Sequence, residues 1–377
     1  MQTKEVVKER YSEGAKERQE TLCCPVDYDA SLLKMLPQEI IDKDYGCGDP
    51  SRYVRTGDTV LDLGSGGGKI CYMAAQLVGP KGAVIGVDVN DDMLALAQKY
   101  RAEMAEKLGA DPVEFRKGYI QDLALSLEAL DSYLNENKVE NLQDWEALEQ
   151  WKSEQRKTNP LIADESVDVV VSNCVLNLVA EEDRTQLIDG IFRVLKPGGR
   201  VAISDIIADQ WVDDHLKNDP VLWSGCISGA FHEKDFLDVF LDAGFVAVQY
   251  DKWDLEPWQV VEGVEFRSVT IMATKPFDVP NHDVGQAALY KGAYKEITLD
   301  SGQTFQRGER RAISERSATL IASGAYGDDF VLINPEQPTE PKGFCASNAP
   351  KRPATEMKNS AHCIADSDGA SQDSGCC

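Results

Sequence analysis

Ten cysteines share the chain with only four histidines, His215, His232, His282 and His362. None of these histidines has C-x-x-C or H-x-x-x-H partners, so the spacing of a conventional zinc module is absent. Several thiolates without a matching set of histidines select a soft, thiophilic ion over a hard, oxygen-seeking one. Four cysteines stand next to glycines or strand ends: Cys47 in "YGCGDP", Cys71 in "GGGKICY", Cys174 in "SNCVLNL" and Cys226 in "LWSGCISGA". Any one of them alone would ordinarily be a small buried hydrophobe. Two vicinal pairs, Cys23-Cys24 and Cys376-Cys377, bridge to each other only with strain, because adjacent alpha carbons sit closer than disulfide geometry favours. They are better placed to capture a thiophilic ion and hand it on, while Cys345 and Cys363 are incidental.

A second chemical stretch is "VLDLGSGGGK", in which Gly64, Gly66 and Gly68 follow a strand and open a helix. Such a loop lets a ligand approach bare backbone and a helix N-terminus. A dinucleotide fingerprint would place its third glycine at position 69, which is Lys69, so the spacing argues against a standard NAD site. Asp88 ends the next strand, where a carboxylate can accept hydrogen bonds from both hydroxyls of a ribose. Asp122, after the third strand, either reaches an adenine amino group or closes a turn. Asp62 either stabilises positive charge where water is scarce or braces the loop through backbone hydrogen bonds.

These residues need a scaffold. From Asp58 the chain alternates apolar strand, turn and amphipathic helix through "TVLDLGSGGGKICYMAAQLV", "AVIGVDVNDDMLALAQKYRAEM", "VEFRKGYIQDL", "VDVVVSNCVLNLV" and "RVLKPGGRVAISDII". That rhythm predicts an α/β, Rossmann-like, mostly parallel sheet with helices on both faces, which binds ligands at the carboxyl ends of its strands. On such a topology Cys71 lies in the first turns of the helix after the glycine loop and Cys174 just beyond the fourth strand. Cys226 follows the fifth strand, and Cys47 precedes the first as a mobile lid residue. Four thiols at one rim are harder to dismiss than one.

Residues 1–45 read as a polar helical leader and 46–278 as the ligand-binding domain, interrupted at about 123–164 by a helical surface insertion that Trp145 and Trp151 pack down. A small C-terminal α+β domain is expected over 285–337, followed by a disordered, cysteine-containing tail at 338–377, poor in large apolar residues. With 39 Lys+Arg against 64 Asp+Glu, the formal charge of −25 repels nucleic acid and anionic membranes. The charged N-terminus cannot be a secretory signal and no apolar run approaches membrane-spanning length, so a cytoplasmic protein with working thiols is expected.

"LDLGSGGG", together with Asp88 and "LKPGGRVAISD", resembles the class I methyltransferases that bind S-adenosylmethionine. The resemblance implies that Asp62, Gly64, Gly66 and Asp88 contact the cofactor, with Asn173 near its methionine part and Asp122 near its adenine. The cysteine-bearing stretches "DYGCGDPSRYV", "LDLGSGGGKICY", "SNCVLNLV" and "LWSGCISGA" resemble those of arsenite methyltransferases, and "LYKGAYKEITLDSGQTFQRG" resembles that family's small C-terminal domain. The match runs from about residue 45 to 335. It implies methylation of arsenite and methylarsenite, with Cys174, Cys226 and Cys71 holding trivalent arsenic. It also implies a disulfide involving Cys47 and Cys71 that an external thiol, glutathione or a thioredoxin-like protein, reopens. All four cysteines would then be catalytic, no general base is needed, and the protein would be a monomer. The long insertion departs from the family pattern and bears on access. Two other readings remain: methylation of an organic metabolite, with the cysteines structural, or sequestration of thiophilic ions without turnover. The intact glycine loop with Asp88 argues against the second.

Overall fold

A computed structural model describes residues 2–19, 26–335, 337 and 339–356. The chain divides into two compact units, Met1–Pro276 and Phe277–Cys377. In the first, strands β1 (Thr59–Leu63), β2 (Ala83–Asp88), β3 (Val113–Lys117), β4 (Val167–Asn173) and β5 (Leu195–Ala208) form the parallel part of a sheet ordered β3-β2-β1-β4-β5. β6 (Phe231–His232) pairs with β5, and β8 (Gln259–Val261) pairs with β9 (Val264–Thr274). β9 itself runs antiparallel to β5 and to the edge strand β7 (Val246–Trp253).

The strands are apolar on both faces, as burial on both sides requires. Leu61, Val170, Val201 and Ile203 pack in one core, and their neighbours Val60, Val169, Val171 and Ala202 pack in the other. A third cluster gathers Cys47, Cys174, Cys226, Ile206 and Phe266. The strand order reverses between β1 and β4, the place where an open α/β sheet leaves a crevice for ligands.

Helix α1 (Gln2–Lys16) precedes the sheet; α2 (Lys69–Val78) follows the glycine loop, and α3 (Asp91–Lys99) follows β2. Between β3 and β4 lie two helices: α4 (Leu127–Glu136) is N-capped by Ser126 and α5 (Leu142–Thr158) by Asn141. Trp151 stacks on Tyr133 at 4.4 Å and anchors the pair of helices, whereas Trp145 is half exposed and does not pack them down. Between β5 and β6 stands the short helix α6 (Pro220–Ser224), capped by Asp219.

In the second unit Ala287–Tyr290 is the central strand of an antiparallel sheet, flanked by Arg310–Ala312 and Phe330–Ile333, beside the hairpin Glu296–Thr298/Thr304–Gln306. Tyr290, Phe305 and Phe330 form its core with the helix Glu315–Ala322. Residues 339–356 return to this unit: Lys342–Gly343 pairs with His282–Asp283, and both Asp283 oxygens accept from Arg352 at 2.6 Å. The expectation of disorder for 357–377, and the pairs Cys23-Cys24 and Cys376-Cys377, lie outside the described residues.

Candidate active site

The glycine loop begins where β1 ends. Gly64 turns at φ +69°, and its N–H donates to the Val87 carbonyl at 2.8 Å. A Cβ there would lie 2.5 Å from Val175, so the bare backbone lets the loop touch the chain one residue past Cys174. Gly68, at φ +85°, starts α2; a Cβ would meet Phe115 at 2.8 Å. Both positions need glycine for conformation and for space.

Asp88 closes the loop from the side. One carboxylate oxygen accepts from the Gly66 N–H at 2.9 Å and the other from the Asn90 N–H at 2.8 Å. Burial raises its pKa above the ordinary carboxyl value, against the pull of those N–H donors. Asp62, one residue before the end of β1, is pushed up to about 7 chiefly by burial, with Asp44 and Asp88 adding to the rise and the Cys71 thiol opposing it. The loop and both acids open onto a pocket with about 1170 Å³ of empty space, its mouth included. Tyr11, Tyr45, Tyr119, Gln121, Asn173 and Cys174 contribute to its walls.

Asp122 is not among the wall residues. Its carboxylate accepts from the Arg156 guanidinium on α5 at 3.1 and 2.8 Å, and Gly118–Gln121 line the pocket in its place. Of the two roles open to Asp122, the ion pair with Arg156 is the one the structure displays. Asn173 does line the pocket, but its amide is engaged elsewhere: Oδ1 accepts from the Cys47 and Gly48 N–H groups at 2.9 and 3.0 Å, and Nδ2 donates to the Gly48 carbonyl at 2.8 Å.

That clamp sets Cys47. The Ser268 hydroxyl donates to its carbonyl at 2.6 Å, and the side chain is fully buried. A Cβ at Gly46 would lie 2.0 Å from the Asn173 amide, and one at Gly48 would lie 2.3 Å from the Ser204 hydroxyl. The flanking glycines thus serve close approach, and Cys47 is held beneath the surface in this structure.

Cys174 and Cys226 share an uncommon backbone. Their φ angles are +62° and +61°, the left-handed region that non-glycine residues adopt only when their surroundings impose it. Cys174 is held by its N–H on the Ser204 carbonyl at 2.8 Å. Asp205, fully buried, secures the turn beyond it: one oxygen accepts from the Leu176 and Asn177 N–H groups, the other from the Ile206 N–H. Asn177 then reaches the Ile206 and Cys226 carbonyls at 2.7 and 3.3 Å. The Cys226 thiol donates to the Cys174 carbonyl at 3.1 Å. The sulfurs of Cys47 and Cys174 and a carboxylate oxygen of Asp205 lie within 4.8 Å of one another. Burial raises Asp205 to about 6, against the pull of the N–H groups it accepts from.

Cys71 is set apart. It packs on α2 with Val60, Val84 and Met73, in a different core cluster from the other three, and donates to Asp62 at 3.2 Å. Burial, with Asp62 beside it, raises its thiol well above the ordinary value. The structure therefore gathers Cys47, Cys174 and Cys226 in one cluster and leaves Cys71 in the other, packed by Val60 and Val84. Sequence reasoning passed over Asp205, whose signal was an acid closing the apolar run "VAIS", and Tyr11, whose position depends on the long-range seating of α1.

A family model described as a methyltransferase domain matches residues 55–150 and 141–244. The chain is 33% identical over 314 residues to an arsenite methyltransferase of Aquipseudomonas alcaligenes, covering 80% of each chain. It is 34% identical to that of Halobacterium salinarum, covering 73% of this chain and 67% of the relative. The chain belongs to the arsenite methyltransferase family. An arsenic(III) S-adenosylmethionine methyltransferase of Chlamydomonas reinhardtii has a similar structure, with a TM-score of 0.53 at 27% identity, over 85% of this chain and 99% of that one. Residues 278–362 match a family described only as a domain of unknown function. The pocket fits the S-adenosylmethionine that these relatives imply: bare glycine backbone lines it beside the buried carboxyls of Asp62 and Asp88.

Proposed function

We propose that this chain methylates trivalent arsenic held by the thiolates of Cys47, Cys174 and Cys226, with S-adenosylmethionine as methyl donor. One observation carries the reading: Cys47, Cys174 and Cys226 share one buried cluster at the carboxyl edge of β4, the first two with their sulfurs within 4.8 Å of each other, and the residue after Cys174 touches the glycine loop of the cofactor pocket. Arsenite enters as a hydroxide. Each thiol that ligates it forms an As–S bond while an As–O bond breaks, and the thiol proton leaves with the hydroxyl as water. Thiolate ligation keeps the arsenic trivalent and its lone pair available as the nucleophile.

S-adenosylmethionine, when bound, supplies an electrophilic methyl on a sulfonium. Asp88 and the backbone of Gly64 and Gly66 would hold its nucleoside part, and Asp62 would face its charge. Asn173 serves indirectly, by fixing Cys47 against Cys174. Returning the methylated product to the trivalent state takes two electrons, which two thiols release on closing a disulfide and an external thiol then restores. The family resemblance points to Cys47 and Cys71 for that bridge, although Cys71 here is engaged with Asp62. Glutathione or a thioredoxin-like protein as reductant, a cytoplasmic location and a monomeric state belong to the same proposal.

The test incubates purified protein with arsenite, S-adenosylmethionine and either reductant, then separates the arsenic species. Methylated arsenic is the expected result; recovery of inorganic arsenic alone would overturn the reading.

A further inference from the structure

Helix α1 reaches both halves of the site. On one side Arg10 donates to the Val221 carbonyl at 2.9 Å and the Ser224 hydroxyl at 2.7 Å, seating the helix on α6 two residues before Cys226. On the other, Asn90 donates to the Lys8 carbonyl and the Ser12 hydroxyl, both at 3.0 Å, seating it two residues beyond Asp88. Between these anchors stands Tyr11. Its ring packs edge-on against Tyr45 at 6.1 Å and walls the cofactor pocket, while its hydroxyl lies 3.8 Å from the Cys226 sulfur.

The direction of that contact follows from the neighbouring bond. The single proton of the Cys226 thiol points to the Cys174 carbonyl, so the Tyr11 hydroxyl is the donor and the sulfur accepts. When arsenic replaces the thiol proton, the bond to the Cys174 carbonyl ends but the one from Tyr11 remains. It then meets a more electron-rich sulfur, and hydrogen bonds to charged acceptors are the stronger kind.

We propose that Tyr11 is a positioning residue with two separable roles: its hydroxyl orients the Cys226 sulfur for arsenic, and its ring closes the cofactor pocket. The proposal rests on the reading that Cys226 ligates arsenic. The hydroxyl contributes most in the arsenic-bound state, and the ring contributes in every state.

The test uses the full chain and three variants, Tyr11→Phe, Tyr11→Ala and Cys226→Ser, with the double variant Tyr11→Phe/Cys226→Ser. Arsenite and S-adenosylmethionine affinities are measured separately by calorimetry, beside thermal melting without ligand. Tyr11→Phe should weaken arsenite binding roughly three- to ten-fold while leaving cofactor affinity and melting near wild type. Tyr11→Ala should weaken both affinities. In the Cys226→Ser background the Phe substitution should change arsenite binding no further, since the sulfur that Tyr11 orients for arsenic is gone. A Tyr11→Phe protein that binds arsenite as wild type does, or loses both ligands together, would overturn the proposal, as would an effect that persists in the Cys226→Ser background. If Cys226→Ser alone leaves arsenite binding intact, the ligand assignment fails instead, and the two failures are told apart.

Discussion

Cys174 and Cys71 are both fully or nearly buried thiols beside a carboxylate, yet their settings differ in kind. Cys71 sits in ordinary helical backbone, packed by Val60 and Val84, with its proton directed to Asp62. Cys174 sits in left-handed backbone at a strand end, within 4.8 Å of the Cys47 sulfur and an Asp205 oxygen, and Cys226 repeats the left-handed geometry. A small apolar side chain could fill the first place. The second holds a side chain in a conformation that disfavours it by roughly 1 kcal/mol or more, which packing alone does not require. Burial is common to both; what separates them is whether the fold strains the backbone to bring sulfurs together.

The comparison breaks most directly on activity. Cys174→Ser and Cys226→Ser should reduce methylated arsenic to background while S-adenosylmethionine binding by calorimetry stays intact. Loss of cofactor binding in either would undo the division into two sites.

A second difference lies in pH. The Asp62 carboxyl faces the Cys71 thiol, Asp44 and Asp88, and Asp44 is itself paired with Lys69 at 2.9 Å. A carboxyl raised from 3.8 to about 7 favours the folded state below 3.8, and that contribution is lost as pH rises through about 7. Asp62→Asn should therefore gain stability relative to wild type across this window, on the order of a few kcal/mol by urea unfolding. A difference that does not change with pH would show that burial does not hold Asp62 in its protonated form.

Smaller effects test Cys71 itself. Cys71→Ser keeps a donor for Asp62 and should bind S-adenosylmethionine within about threefold of wild type, whereas Cys71→Ala removes the donor and should weaken cofactor binding roughly tenfold. If Cys71→Ser binds arsenite as weakly as Cys174→Ser does, Cys71 is an arsenic ligand after all. The smallest signal is a reversal of sign. Glycine should be more stable than alanine at positions 174 and 226 by about 1 kcal/mol, because only there is φ positive. At position 71, inside a helix, alanine should win by a similar margin. Thermal melts of the six proteins decide it.

Much of this was legible beforehand. The strand–glycine loop–helix unit reads from "VLDLGSGGGK" because turn chemistry and hydrophobic period are local, and the position of Asp88 follows from strand spacing. Three of the cysteines stood out for the same reason, each beside a glycine or a strand end, and Cys71 for its place in the helix that follows the glycine loop. Asp122 was ambiguous because its partner, Arg156, lies 34 residues away in an insertion with no fixed place in the pattern. The close approach served by the glycines around Cys47 was not legible either: they admit the Asn173 amide and the Ser204 hydroxyl, neither of which is near in sequence.

By itself, then, the sequence determined the family, the parallel sheet and the cofactor loop, since each is written in contiguous residues whose local preferences agree. Only the tertiary structure decided which thiols meet. Cys47, Cys174 and Cys226 come from segments 127 and 52 residues apart in sequence, joined through Asn173 and Asn177, while Cys71, closer to Cys47 along the chain, turns with its helix toward the other core. Which face of a helix or end of a strand a side chain occupies depends on what packs against it, and that is a property of the assembled chain.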